Sequence, residues 1–204
     1  MRTVLISSTL VAAVLLSSCL GDRLELLVPT TRRLDSSPET TGLLIIHVRM
    51  TSKDIFGLES DFYFMDATIR SRDTGEVMQD KTSNQLAVFE VPPETYELVG
   101  LHGTYDTGPP YHFTYSAHGV VGPEVEPIEV AAGRLTYVGK LIATGKGSPA
   151  RGFTFTYRWD RNPAREAEAL GFVEQRFKDS PWIPILRSRL DSLRQATGIA
   201  EQES

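Results

Sequence analysis

Three histidines with an aspartate between them are the residues best suited to metal chemistry. They are His102, His112 and His118, with Asp106. Imidazole and carboxylate groups bind zinc at about 2 Å from the ion. On one strand, however, His112 and His118 would lie about 20 Å apart at roughly 3.3 Å per residue, and the spacing matches no zinc signature. We therefore predict no metal site, although His102 and Asp106 could still meet across the intervening loop.

The segment around that loop is the best candidate for a binding surface. It contains His102, Tyr105, Asp106, Tyr111 and Tyr115, with Gly and Pro between them. Aromatic faces on a loop held by a rigid scaffold are typical of sites for sugars or peptides. The alternation of polar and apolar residues favours an alternative, in which the aromatic residues of the following strand point into the core.

Other patterns give no catalytic residue and no cofactor. The hydrolase signatures Gly-x-Ser-x-Gly and His-Glu-x-x-His are absent from the sequence. Gly139–Ser148 has the wrong spacing for a phosphate-binding loop. A carboxylate-rich segment could bind calcium, but a solvated acidic turn is the preferred interpretation for Asp54, Glu59, Asp61 and Asp66. His47, alone in an apolar run, is predicted to be a hydrogen-bonded core or face residue.

The charge balance argues against a nucleic-acid partner. The chain has 21 basic and 26 acidic residues and a net charge of −5. Binding to phosphate backbones requires clustered Lys and Arg, and Arg32 with Arg33 is the only adjacent basic pair.

The elements that must hold these residues are mainly strands. Between residues 42 and 160, short apolar or alternating runs are separated by Gly, Pro and Asp: 42–51, 62–70, 86–91, 95–101, 111–117, 135–143 and 153–159. The first run is continuously apolar through Leu43–Ile46, which predicts a strand covered on both faces. In the last run Phe153, Phe155, Tyr157 and Trp159 share one side. The pattern predicts an antiparallel β-sandwich over residues 42–160.

About two helices are predicted over residues 161–204. Asn162 caps the first, Pro163 lies in its first turn, and an apolar stripe follows. The second begins between Pro181 and Pro184 and ends near Gly198. Packing on the sandwich is the preferred role for both helices; the alternative is an exposed partner-docking patch of Trp182, Ile183, Ile185 and Leu186.

The first residues have the layout of an export signal. Arg2 precedes an apolar run over Val4–Leu16, which is shorter than the roughly 20 residues that span a membrane. Leu16-Ser17-Ser18-Cys19 resembles the lipobox of bacterial lipoproteins. The resemblance implies cleavage after residue 18 and acyl chains on Cys19, followed by a flexible tether over residues 19–41. Leu20, where Asp would retain the protein in the inner membrane, favours the outer membrane, facing the periplasm.

The body of the chain resembles small prealbumin-like sandwich domains of bacterial lipoproteins. Two turns that each precede a strand carry the resemblance. The first contains Pro92-Pro93 within Val91–Leu98, and the second contains Ala132-Gly133 within Ile128–Gly139. Such domains have no accepted catalytic residues, so the resemblance implies an architecture and not an activity.

The sequence therefore favours a membrane-anchored, non-enzymatic envelope protein that binds another envelope protein or supports an assembly. A carbohydrate or peptidoglycan binding module that uses the Tyr105 to Tyr115 region is the alternative, and an envelope hydrolase is the third hypothesis.

Overall fold

Nine strands and two helices make up the part of the chain that the structure describes. A computed structural model describes residues 33–53, 59–81, 85–106, 114–121, 125–148 and 152–197. The strands are β1 (Gly42–Lys53), β2 (Glu59–Ser71), β3 (Val77–Lys81), β4 (Leu86–Val91), β5 (Thr95–Asp106), β6 (Thr114–Val120), β7 (Ile128–Glu129), β8 (Leu135–Ser148) and β9 (Gly152–Asp160). The helices are α1 (Pro163–Arg176) and α2 (Ile183–Thr197). The predicted export signal, Cys19, Asp54, Tyr111 and His112 lie outside the described residues.

The strands form two sheets, so the prediction of a mainly β fold with two C-terminal helices is confirmed. The first sheet has the order β4–β1–β8–β9, and the second has the order β3–β2–β5–β6 with β7 also paired to β5. The last residues of β1, from Met50 to Lys53, pair with the first residues of β2, from Glu59 to Phe62, and this pairing joins the two sheets. The prediction of wholly antiparallel pairing is wrong for one pair, because β1 and β8 run parallel. Alternation reveals which face a residue occupies and contains no information on strand direction.

The strand β1 is buried on both faces, as its continuous apolar run predicts. Leu44, Ile46, Val48 and Met50 belong to the core between the sheets. Leu43 and Ile45 face the other way and pack with residues of both helices. Three layers result: the second sheet, the first sheet and the helices.

The two helices begin and end close to the predicted positions. The Asn162 side chain accepts a hydrogen bond from the Ala164 backbone N–H, with Pro163 in the first turn. In α1, Leu170 and Val173 are fully buried, and in α2 Leu186 is fully buried. Three of the four residues proposed as a docking patch are buried in the helix-side cluster, with Trp182 and Leu186 0% exposed. The fourth, Ile185, is half-buried and lines a cavity.

The end of the predicted tether packs against the domain. Leu34 is 1% exposed and belongs to the helix-side cluster. The Ser36 backbone N–H donates to the Glu90 carboxylate on β4 at 2.9 Å. The described, packed part of the chain therefore extends to residues before Gly42.

Candidate functional site

Two adjoining cavities lie at the end of the sandwich where β4 ends and β8 begins. The smaller has a volume of about 340 Å³ and lies between the segment 126–129 and the first residues of β8. The larger, of about 1120 Å³, lies between α2 and the turn that joins β7 to β8. Four residues line both cavities: Glu129, Thr136, Tyr137 and Glu166. Concave sites of this size are the usual location of ligand binding.

A β-bulge in β8 shapes the wall of the smaller cavity. Tyr137 pairs with Ile45 and Lys140 pairs with His47, so two β8 residues, Val138 and Gly139, lie opposite a single residue of β1. The bulge keeps both Tyr137 and Lys140 on the face that the helices cover, although they are three residues apart. Gly139 has φ +105°, and a Cβ there would lie 3.1 Å from the Asp160 carbonyl oxygen and 3.2 Å from Arg161 Cγ.

Replacing this glycine should destabilise the fold. We expect Gly139→Ala to lower the free energy of unfolding by about 1–3 kcal/mol, because an L side chain rarely adopts this φ and the β9–α1 corner lies too close. Urea unfolding followed by circular dichroism measures the change. Gly171→Ala is the matched control: it lies in α1 with open space around the added Cβ, so it should stabilise by roughly 0.5–1 kcal/mol. Equal effects of the two variants would contradict the strained turn.

Two ion pairs hold the rims of the cavities. Arg161 Nη2 donates to Glu126 Oε2 at 2.8 Å, which links the β9–α1 corner to the segment before β7. Arg189 of α2 binds both carboxylate oxygens of Glu166 on α1, at 2.7 and 3.1 Å. The second pair is planar and bidentate, a geometry that fixes the two side chains, whereas the first is a single contact between exposed side chains. Their acidic and basic groups are therefore engaged with each other and not arranged as a proton-transfer pair.

Tyr137 forms part of the wall that the two cavities share. Its side chain is half-buried, and its hydroxyl oxygen is buried without a hydrogen-bond partner among the described residues. Burial, followed by the charges of Glu166 and Asp160, raises the pKa of the Tyr137 phenol. The phenol is therefore neutral across the physiological range and is not a candidate base.

The sequence-predicted residue His102 lies on the other sheet. Its Nδ1 lies 3.0 Å from Oδ2 of Asp66, which is 5% exposed. The pairing register sets His102 of β5 opposite both Asp66 of β2 and His118 of β6. His102 and Asp106 both lie in β5, four residues apart, so they do not meet across a loop as the sequence suggested; the side chain of Asp106 lies outside the described residues.

The predicted tyrosine surface is brought together in part. Tyr105 and Asp106 end β5, and the register sets Tyr105 opposite Tyr115 and Asp106 opposite Thr114. Their side chains and all of Tyr111 lie outside the described residues. Two of the three tyrosines, Tyr105 and Tyr115, therefore lie opposite each other in the backbone register.

Two of the four carboxylates considered for calcium have separate partners, and the side chains of Asp54 and Glu59 lie outside the described residues. Asp61 binds Arg49 at 2.9 Å and Asp66 contacts His102. Within the described ranges, no three His, Cys, Asp or Glu side chains come close enough to hold a metal ion. Neither described helix is long and apolar enough to cross a bilayer.

The sequence reasoning missed the residues around the two cavities. Glu129, Tyr137, Trp159 and Glu166 come from four separate elements, and no local motif connects them. The only local signal was the glycine at position 139 inside an otherwise regular strand, which is typical of a bulge.

Comparisons with known proteins give little further information. No family model matches the chain, and no curated protein matches it. A leucine-rich repeat protein from Bacteroides thetaiotaomicron VPI-5482 is similar in structure with 13% sequence identity and a TM-score of 0.32. The likeness covers 67% of this chain and 16% of that one, so the chain spans less than a fifth of that protein's length. The function must therefore be argued from the residues of this chain.

Proposed function

We propose that the chain is a lipoprotein of the bacterial envelope, anchored by acyl chains on Cys19, and that its folded domain is a non-enzymatic module that binds another envelope protein. The anchor is supported by Leu16-Ser17-Ser18-Cys19 after a short apolar run. Two or three acyl chains make a stable anchor, because each buried CH₂ contributes about 0.8 kcal/mol and one chain alone is reversible. Arg2 is the only charged residue before Cys19, so the anchored part carries 20 basic and 26 acidic residues.

The binding role is supported chiefly by the larger cavity. Its volume of about 1120 Å³ is large enough to hold a projecting loop of another protein. Its lining contains four carboxylates and two guanidinium groups: Asp73, Glu94, Glu129, Glu166, Arg134 and Arg189. The excess of carboxylates favours a partner whose loop is basic. Glu166 binds Arg189 and Glu94 accepts from the Ser71 hydroxyl, so these lining groups support the surface and offer no acid and base pair for catalysis.

The fold proposal is that the sandwich is of the prealbumin-like kind. The strand β5 begins at Thr95, directly after Pro92-Pro93 and Glu94, and β8 begins at Leu135 after a turn at Ala132-Gly133. These are the two turns on which the resemblance rests. Two sheets of four main strands, facing each other, are consistent with that architecture.

The anchor is tested by labelling with radioactive palmitate in a Gram-negative host. We expect the wild-type protein to incorporate the label and Cys19→Ala to lose both the label and membrane fractionation. Leu20→Asp is a matched control that should keep the label and move the protein to the inner membrane. An unlabelled wild-type protein, or Cys19→Ala that still sediments with membranes after a carbonate wash, would contradict the proposal.

The partner is tested by crosslinking in membranes and recovery of the tagged protein. We expect one protein in stoichiometric amount, and we expect Asp73→Lys to reduce its recovery about tenfold, as a reversed rim charge repels a basic loop. Asp73 is exposed and lines the larger cavity. Asp179→Lys makes the same charge change at an exposed residue after α1 and should have no effect. Equal recovery with both variants would contradict binding at the larger cavity.

A second candidate function is recognition of peptidoglycan or another polysaccharide by the Tyr105 to Tyr115 region. The observation that favours it is the direct cross-strand pairing of Tyr105 with Tyr115. Co-sedimentation with purified sacculi should then be lost in a variant that combines Tyr105→Ala with Tyr115→Ala. Unchanged co-sedimentation would contradict this candidate.

A further inference from the structure

The smaller cavity combines aromatic surface with several planar polar groups, and we propose that it binds a neutral saccharide unit. Its volume of about 340 Å³ is at the lower end of the roughly 300–1,000 Å³ that small-molecule sites occupy. Its apolar lining includes Tyr137, Val138 and Trp159, and its polar lining includes Glu126, Glu129 and Arg161.

The charges of this lining select a neutral ligand. A small anion would meet three carboxylates and one guanidinium group. A small cation would have to compete with Arg161 for Glu126, at 2.8 Å, and with Arg189 for Glu166, at 2.7 Å. Among the described residues, Glu129 is the one carboxylate of this lining without an ion pair. A hydroxyl group satisfies both kinds of partner, because it donates one hydrogen bond and accepts two. A ligand rich in hydroxyls and without charge therefore fits the lining best.

Trp159 provides the apolar part of the site. It lies near the end of β9, where its half-buried side chain contacts the core between the sheets and also lines the cavity. A rigid indole gives a large contact area with little loss of conformational freedom. The C–H face of a pyranose ring is a complementary surface for such a side chain.

The cavity is held in shape before a ligand binds. The Thr136 hydroxyl donates to the Glu129 carbonyl oxygen at 3.4 Å and links β8 to β7. The Arg161–Glu126 pair links the opposite rim, and Gly139 brings β8 close to the β9–α1 corner. A preformed site loses less free energy to ordering when the ligand binds.

The site is tested with the full lipidated protein in a detergent that has no sugar headgroup. Three neutral trisaccharides serve as probes: N,N′,N″-triacetylchitotriose, cellotriose and maltotriose. We expect at least one to change the tryptophan fluorescence saturably, and the change reports Trp159 because Trp182, the other tryptophan, is 0% exposed. Isothermal calorimetry then measures the variants. Trp159→Ala and Glu129→Gln should each weaken binding about tenfold, because the first removes a stacking surface and the second removes a charged hydrogen-bond acceptor. The matched control Arg158→Ala, at an exposed neighbouring position that lines neither cavity, should bind as the wild type does.

Several outcomes would overturn this assignment. No saturable binding of any trisaccharide at 10 mM (about −2.7 kcal/mol) would do so, and so would affinity for spermidine in place of the sugars. An unchanged affinity in Glu129→Gln would also contradict the assignment, because this substitution is exposed and should not affect folding. Loss of binding in Tyr105→Ala but not in Trp159→Ala would locate the sugar site on the other sheet and would contradict it as well. The result is separate from the protein partner proposed above, whose recovery depends on Asp73, a residue that lines only the larger cavity.

Discussion

Trp182→Ala is expected to lower the free energy of unfolding by about 4 kcal/mol, within the range for truncating a buried aromatic side chain. Trp182 is 0% exposed and belongs to the cluster between the first sheet and the helices. Its indole Nε1 donates to Glu90 Oε1 on β4 at 3.0 Å, and the same oxygen accepts from the Ser36 backbone N–H at 2.9 Å. The Glu90 carboxylate of β4 thus connects Trp182, directly before α2, with the segment before β1.

Urea unfolding followed by circular dichroism measures this loss, with the midpoint shifted and the m-value unchanged. Trp182→Phe separates the two contributions: it keeps most of the apolar burial and removes the N–H donor, so it should lose about 1–3 kcal/mol. Val77→Ala, at an exposed position, should stay within about 0.5 kcal/mol of the wild type. A loss below about 1 kcal/mol for Trp182→Ala would mean that the helical layer does not depend on this contact.

The strands could be predicted where apolar residues alternate or run together, and could not where a polar residue takes an inward position. Leu86–Val91 and the alternation along β9 were predicted from the sequence alone. The strand β3 was missed, because it contains Asp80, which is buried and accepts the Val88 backbone N–H at 2.7 Å. A buried carboxylate that bonds a neighbouring strand has no signature in hydrophobic patterning.

The helices could be predicted almost to their ends because their signals are local. An Asn-Pro start, an apolar stripe and a Ser-Pro break each act within a few residues. The docking of the helices on β1 follows from the apolar run of Leu43–Ile46, which needs a cover on both faces.

The candidate site could not be predicted, because its parts meet only in the folded chain. Glu126 and Arg161 are far apart in sequence and bind each other at 2.8 Å across the rim of the smaller cavity. Val138 and Gly139 join the wall at a bulge that shifts the register of β8 by one residue after Tyr137. Sequence periodicity gives no information on such long-range contacts.

A second large effect is expected from pH, through the buried imidazole of His47. The side chain is 5% exposed, on the face of β1 that the helices cover. Burial is the main cause that lowers the pKa of His47 to about 4, and the charge of Lys140 lowers it further. Arg165 also lowers this pKa. Glu168 and Gln85 raise it, but their effect is smaller than the effect of burial. The imidazole is therefore neutral in the folded protein at pH 7.

The sign of the effect follows from this depressed pKa. An imidazole in the unfolded chain takes up its proton near pH 6.5, whereas His47 in the fold does so near pH 4. Its contribution to stability is fully present above pH 6.5 and decreases as the pH falls from there to about 4. The difference in pKa corresponds to about 3 kcal/mol, since one unit corresponds to about 1.4 kcal/mol.

The free energy of unfolding, measured in urea at intervals between pH 4 and 8, tests this expectation. Protonation of carboxylates also changes stability below pH 5, so the quantity of interest is the difference between the wild type and His47→Leu, which lacks the titrating group. This difference should fall by about 3 kcal/mol across the window. Lys140→Met removes a charge that lowers the pKa of His47 from the opposite position on β8, so in this variant the loss should be smaller and should end at a higher pH. Parallel pH curves for the wild type and His47→Leu, or a His47 ring proton that titrates near pH 6.5 in the native protein, would contradict a neutral, buried imidazole beneath the helices.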